Sequence, residues 1–376
     1  MGNRRHGPGP AWAFANAPRL DYAAGSTPDR RRCLANSPHK PIAIWLMACS
    51  FMVFAMVVIG GLTRLTGSGL SMVDWEPIMS WLPPLDEAEW QASFDLYRQS
   101  PEFRKLNFTM DLAGYQGIFW LEYIHRLVGR LTGFVFLAPF LLFLVTGRLN
   151  RALIPRLGAI FLLGGLQGLL GWYMVKSGLV DDPHVSQYRL TAHLGTAFLI
   201  HAALWWTALG LLFDSRDTPP RGESAALHGP ALGVTLLASI TVLSGGLVAG
   251  LRAGQAYNTF PLMGGRWIPE GVWLPDLGWR NLFENVPTVQ WDHRLLATLT
   301  VSSVLLLWWR GRRLMVPSRV RLGLDLLLAM ALVQVGLGIS TLLLFVPTAL
   351  ASLHQAGAML LLTIALFLNH QLRPNG

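Results

Sequence analysis

Tyr123-Ile124-His125-Arg126-Leu127 and Trp291-Asp292-His293-Arg294-Leu295 are two versions of one phrase, each near the start of an apolar segment. Lipid offers imidazole nitrogens no partners, so a histidine placed there needs a protein group or a cofactor to satisfy it. Outward from this phrase, three further pairs match in the same order. Ile59-Gly60-Gly61-Leu62 corresponds to Ser244-Gly245-Gly246-Leu247, each followed by a basic residue, Arg64 or Arg252. Leu166-Gln167-Gly168-Leu169-Leu170-Gly171 corresponds to Val333-Gln334-Val335-Gly336-Leu337-Gly338. Finally, Leu190-Thr191-Ala192-His193-Leu194-Gly195 corresponds to Ala351-Ser352-Leu353-His354-Gln355-Ala356. A unit of four apolar segments is present twice.

The 376 residues are 52% hydrophobic and only 14% charged, with mean hydropathy +0.41; a soluble domain carries about 25% charge. The apolar residues gather into runs of the ~20 residues that cross a bilayer, at 42–62, 121–144, 155–175, 191–213, 231–251, 289–309, 322–345 and 350–368. The expected class is an all-α polytopic membrane protein with eight transmembrane helices. Basic residues crowd the N-terminal tail (Arg4, Arg5, Arg30, Arg31, Arg32, Lys40) and return at Arg148, Arg151 and Arg156, then at Arg310, Arg312, Arg313, Arg319 and Arg321. The intervening loops hold most of the acid, including Asp74, Glu76, Asp86, Glu102, Asp181, Asp182, Glu270 and Glu284. By the positive-inside rule both termini are cytoplasmic, or in the matrix of a mitochondrion. The net charge of +9 thus follows loop parity, which excludes a nucleic-acid surface. Residues 1–40 lack apolar periodicity and read as a disordered tail, too polar for a secretory leader. Cys33 in that tail and Cys49 in the first helix imply no disulfide and no thiolate metal cluster.

Because each unit has an even number of helices, both halves enter the membrane in the same sense. The predicted fold is two parallel-repeat four-helix bundles with a pseudo-twofold axis along the membrane normal. Residues 41–213 form the N-terminal half with a long outer loop at 63–120, residues 214–230 a cytoplasmic linker, and residues 231–370 the C-terminal half. The even-numbered helices begin on the outer side and carry His125, His193, His293 and His354 within their first turn or two, all at similar depth. Outer-loop tryptophans (Trp75, Trp81, Trp90, Trp267, Trp273, Trp279) suit an interfacial belt. Short amphipathic helices near 86–100 would equally allow a cap over the histidine layer.

Two imidazoles per half, without thiolates, do not make a closed zinc site, which takes four ligands. Haem iron needs only two axial ligands, one histidine from each of two facing helices. No Cys-x-x-Cys-His occurs, so c-type attachment is excluded. Gly129, Gly133, Gly164, Gly165, Gly168, Gly171, Gly195, Gly336 and Gly338 would make room for a flat macrocycle, although glycine is common in membrane helices generally. Arg126 and Arg294 point about 100° away from the preceding histidine and can snorkel outward to meet haem propionates or interfacial carboxylates. Glu122 lies on nearly the same helix face as His125, and its counterpart is the uncharged Gln290. This asymmetry assigns chemistry to the first half and a redox or structural haem to the second. The Glu122 carboxylate could move protons there, or place charge beside an electron-poor intermediate. Gln167 and Gln334 are matched intramembrane amides that need interhelical partners.

Gly60-Gly61-Leu62-Thr63-Arg64-Leu65-Thr66-Gly67-Ser68-Gly69-Leu70-Ser71, with Trp75 after it, resembles the first-loop signature of the haem A synthase family. Glu122 through Arg130 and Tyr257-Asn258-Thr259-Phe260-Pro261-Leu262-Met263 are similar to that family as well, and the likeness runs from about 42 to 368. The resemblance implies an eight-helix oxidoreductase of terminal-oxidase biogenesis that oxidises the C8 methyl of haem O, through an alcohol, to the formyl group of haem A. It implies that His293 and His354 bind a resident haem b, that His125 and His193 define the substrate haem site, and that Glu122 matters for turnover. It also implies a bacterial inner membrane or mitochondrial inner membrane location. The partners it suggests are haem O synthase, terminal oxidase assembly proteins and an unidentified electron partner. Some bacterial relatives carry a cysteine pair in the first outer loop; this chain has none there. Attack by molecular oxygen and capture of an oxidised methyl by water both remain open. The residues themselves also admit an electron-transfer cytochrome b acting on quinol, or a transporter built on the parallel repeat.

Overall fold

A computed structural model describes residues 1–2, 39–73, 81–180, 183, 185–213 and 222–373. The expectations for the tail, for Asp74, Trp75 and Glu76, for Asp181 and Asp182, and for the first part of the 214–230 linker lie outside the described residues.

The described residues are helical, apart from loops and one isolated bridge between Met263 and Arg266. Helix α1 is Lys40–Leu65, with Pro41 in its first turn, where the missing N–H costs nothing. Two short helices follow, α2 (Glu87–Tyr97) and α3 (Pro101–Lys105). Asp86 caps α2 by accepting from the Glu89 amide at 2.8 Å, while the Glu89 carboxylate accepts from the Leu85 amide at 2.7 Å. The remaining helices are α4 (Leu112–Val145), α5 (Leu153–Gly178), α6 (Gln187–Leu212), α7 (His228–Gly250), α8 (Val286–Arg312), α9 (Ser318–Leu343) and α10 (Thr348–Leu372).

Seven of the described helices are long and apolar enough to cross a membrane. A backbone in lipid must satisfy its own polar groups, and long helices do so. The chain is an all-α polytopic membrane protein. The 27-residue α8 falls short of the seven in hydropathy. Gln290, Asp292, His293 and Arg294 interrupt its beginning and Arg310 and Arg312 its end.

In the first half α1 packs on α4 and α6, and α5 lies against α4 and α6; in the second, α7 packs on α8 and α10, and α9 lies against α8 and α10. The halves meet through α6 on α7, α1 on α10 and α6 on α10. His201 on α6 ties three helices there, through Ser50 Oγ on α1 at 2.9 Å and Thr363 Oγ1 on α10 at 2.8 Å. Helix α4 begins at Leu112, well before the expected 121. Asp111 caps it by accepting from the Gly114 amide at 2.8 Å, and its added turns pack Tyr115 and Phe119 against α2. His125 therefore sits well inside its helix rather than in the first turns. Helix α7 likewise starts at His228, inside the stretch expected as linker.

Candidate functional site

Each of the four matched histidines rests against a glycine of a neighbouring helix. A Cβ on Gly60 of α1 would stand 3.1 Å from His125 Nε2, and one on Gly171 of α5 3.2 Å from His193 Cε1. In the second half, a Cβ on Gly245 of α7 would stand 3.2 Å from His293 Cε1, and one on Gly338 of α9 3.1 Å from His354 Cε1. Gly60 and Gly245 are matched in the repeat, as are Gly171 and Gly338. These four glycines bring the imidazoles against bare backbone. Other glycines differ: Gly195 takes Leu243 of α7, Gly129 meets Met56, and Gly133, Gly164, Gly165, Gly168 and Gly336 have open space beside them. Room for a flat ring is thus a property of the last group, and not of Gly171, Gly338 or Gly195.

The rings pair within each half, His125 with His193 and His293 with His354, each pair within electrostatic reach. Their ring nitrogens are unequally served. Ser244 Oγ lies 2.8 Å from His293 Nδ1, whereas the matched Ile59 has no hydroxyl to offer. The Gln167 amide nitrogen lies 3.3 Å from His193 Nε2. Nδ1 of His193 and Nδ1 of His354 are buried without a partner. A buried polar atom left alone costs about 1–3 kcal/mol, so each asks for a ligand.

Beside each pair a side chain at the position three before the histidine, and an arginine just after it, grip a loop. In the first half Glu122 Oε2 accepts from Ser71 Oγ at 2.7 Å and from the Met72 amide at 2.9 Å. Its Oε1 pairs with Arg126 Nη2 at 2.5 Å, and Arg126 also donates to the Met72 carbonyl at 3.0 Å. Both side chains are almost wholly buried, so Arg126 does not snorkel to the surface as expected; the carboxylate four residues before it holds it in. In the second half Gln290 Nε2 donates to the Tyr257 carbonyl at 3.1 Å, and Arg294 donates to the carbonyls of Thr259 and Tyr257, both at 2.8 Å. Gln290 Oε1 and Arg294 Nε remain buried without partners. The first loop is held by a hydroxyl, an amide hydrogen and one carbonyl oxygen, the second by its carbonyl oxygens alone.

A cap lies over the extension of α4. Met72, Phe94, Tyr97, Tyr115, Phe119 and Tyr123 form one buried cluster, with Tyr97 stacked on Tyr115 at 5.1 Å. Trp90 joins it, 4.9 Å from Phe119, while Trp267, Trp273 and Trp279 are exposed. Tyr97 donates to Glu102 Oε2 at 3.1 Å and accepts from Asn107 Nδ2 at 2.7 Å. Burial pushes the Glu102 carboxyl up to about 7; the Tyr97 hydroxyl opposes this and the Glu122 charge adds to it. Sequence reasoning missed Ser71, Met72, Tyr97, Glu102 and Asn107. Each acquires its partner only through tertiary contact, and only the capping residues Asp86 and Asp111 carried a local signal.

Four comparisons relate the chain to known proteins. The family model for cytochrome oxidase assembly protein, COX15-CtaA, matches residues 43–366. The chain is 53% identical over 350 residues to the haem A synthase of Paramagnetospirillum magneticum, spanning 91% of this chain and 96% of that protein. It is 54% identical over 334 residues to the haem A synthase of Nitrosospira multiformis, spanning 89% and 94%. It is 46% identical over 345 residues to haem A synthase COX15 of Homo sapiens, spanning 90% and 84%.

Proposed function

The chain belongs to the COX15-CtaA family of cytochrome oxidase assembly proteins, and we infer from that membership that it is a haem A synthase, an oxidoreductase converting haem O to haem A. The overall change turns a porphyrin methyl into a formyl group. With water as the oxygen source it is R–CH3 + H2O → R–CHO + 4 H⁺ + 4 e⁻, so protons and electrons must both leave the site.

The donor chemistry suits two haems. Two imidazoles from facing helices would hold a haem iron, and Nδ1 of His193 and of His354 are buried without a partner. We assign His293 and His354 to a resident haem b, with the unpartnered Arg294 Nε available to one of its carboxylates. When bound, that haem supplies a one-electron relay. His125 and His193 hold the substrate, haem O. Bonds to Ser71, Met72 and Arg126 engage both oxygens of Glu122. We therefore assign it a fixed negative charge that anchors the first loop beside the reacting porphyrin, rather than a mobile proton carrier. Arg126 and Arg294 hold the two loops over their sites.

The finer architecture follows the same logic. All eight long helices span the membrane, α8 included, because its polar residues turn to the cofactor and the loops. The matched neighbours of the two halves and the matched glycine seats support a parallel repeat about an axis along the membrane normal. Alternating basic and acidic loops support cytoplasmic termini and histidines on the outer side of a bacterial inner membrane. Haem O synthase and terminal oxidase assembly proteins are the natural partners at either end of the reaction.

One observation carries the site assignment: two histidine pairs, each ring seated on a glycine at matching positions of the repeat. Its test is extraction and mass analysis of haems from the wild type and from His125→Ala and His293→Ala, expressed where haem O is available. Haem b with O- or A-type haem in the wild type, and selective loss of the O/A-type in His125→Ala, is the expected result. Haem b alone in every sample, falling by one equivalent per lost ligand, would make the protein an electron-transfer cytochrome b instead.

A further inference from the structure

The basic residues that follow the two Gly-Gly pairs, Arg64 and Arg252, have no part in the assignments above. Arg64 lies one turn beyond Gly60, the glycine on which His125 rests. A residue four places on keeps the same helix face and stands about 6 Å further along the axis. Arg64 is therefore on the His125 side of α1, near that helix's end. Its register partner in the second half is Ala249, and Arg64 Nη2 donates to the Ala249 carbonyl at 2.9 Å. The same carbonyl accepts from the Arg252 amide at 3.2 Å.

Arg252 itself has φ 52° and ψ 26°, the left-handed region. For a residue with a Cβ this costs roughly 1–2 kcal/mol, and such strain is kept where the surroundings over-determine it, commonly at ligand sites. Arg64 and Arg252, one from each half, thus meet at one carbonyl at the ends of α1 and α7, Arg64 through its guanidinium and Arg252 through its backbone amide. Among the described residues, neither forms an ion pair with a carboxylate. Like charges held near one another favour an anion between them. Arg126 is already engaged with Glu122 and the first loop, and both terminal nitrogens of Arg294 with the second.

We propose that Arg64 and Arg252 form a carboxylate receptor between the halves that binds porphyrin propionates, with Arg64 taking a propionate of the substrate held by His125 and His193. This rests on the reading that the histidine pairs hold haems, and it adds what axial ligands cannot supply. Two imidazoles fix the iron but leave the macrocycle free to turn about the axial bonds. A charge-assisted bond to a peripheral carboxylate stops that rotation, so one methyl group alone stays at the reacting position. Arg64 is then a specificity-determining positioning residue.

The test compares binding of haem O and of its propionate dimethyl ester to the purified full-length protein carrying its resident haem. The proteins are the wild type, Arg64→Gln, Arg64→Lys and Arg252→Gln, with resident haem content reporting the fold. Loss of one bond to a charged group weakens binding roughly tenfold or more. Arg64→Gln should lose that factor for haem O, Arg64→Lys should recover part of it, and Arg252→Gln, altered at an exposed side chain, should show a smaller loss. The ester should bind wild type and variants alike. Equal weakening of acid and ester would overturn the proposal and leave Arg64 as a tie between α1 and α7. A wild type that binds neither compound would remove the haem reading, and the proposal with it.

Discussion

The two halves hold the same histidine pair with unequal firmness. In the C-terminal half His293 has a hydroxyl partner in Ser244, and α9 buries Val320, Gly323, Leu324, Leu327, Ala331 and Gln334, from its first turn as far as Gln334. In the N-terminal half Ile59 replaces that hydroxyl, and α5 buries Leu153, Leu157 and Ile160 at one end, then nothing until Gly178. The loops differ in the opposite sense, the first held by a buried carboxylate paired with its arginine and the second by a neutral amide beside its arginine. A site that keeps its cofactor gains from rigid packing, whereas one that must admit a substrate and release a product gains from a helix with few buried contacts. The difference in packing between the halves matches the division proposed between resident and substrate haem.

Changes at matched positions break or sharpen that comparison. Glu122→Gln should have the largest effect, because it strands Arg126 as a buried charge. Breaking such a pair costs about 3–5 kcal/mol, and limited proteolysis of the 66–73 segment should accelerate as haem A production falls. The reciprocal Gln290→Glu would set a carboxylate against the Tyr257 carbonyl and loosen the second loop. Next come the glycine seats. Alanine at Gly60 or Gly171 should displace an imidazole at a cost of about 1–3 kcal/mol and deplete O/A-type haem alone, while alanine at Gly245 or Gly338 should deplete haem b. Depletion of both haems by either pair would erase the distinction. Ser244→Ala removes one hydrogen bond, about 1 kcal/mol, and should broaden the haem b spectrum without changing haem content.

The smallest global effect belongs to the cap. Glu102 titrates near 7 when folded against an ordinary value of 4.5, so the folded cap binds a proton that the unfolded cap does not between those values. Its contribution is largest below about 4.5 and is lost as pH rises through about 7. Hydrogen exchange of 87–110 should quicken over that window, and Glu102→Gln should abolish the dependence.

Hydropathy made the membrane class legible, and the repeat made the histidine pairs legible, because both are written in local pattern. The limits of that pattern appear at α4. Its first turns are too polar for a membrane run, and only the Asp111 cap and the packing of Tyr115 against the cap cluster make them helical. On sequence alone Arg126 suits snorkelling, because it points away from His125 near the expected outer end of its helix; the carboxylate that holds it lies four residues away on the same helix, and the loop that completes the clamp comes from another part of the chain. The glycines were read as one class, yet four serve as seats for imidazoles, and that role is visible only once the facing helix is in place.

Those four seats set which matched positions of the two units can differ. Where an imidazole touches backbone, no side chain can be added without moving the ring, so both copies of the unit had to keep glycine there. One step away no such constraint acts: Ile59 faces Ser244 across the repeat, and Glu122 faces Gln290. The contacts between imidazole and backbone are therefore the same in both units, while those to the loops differ.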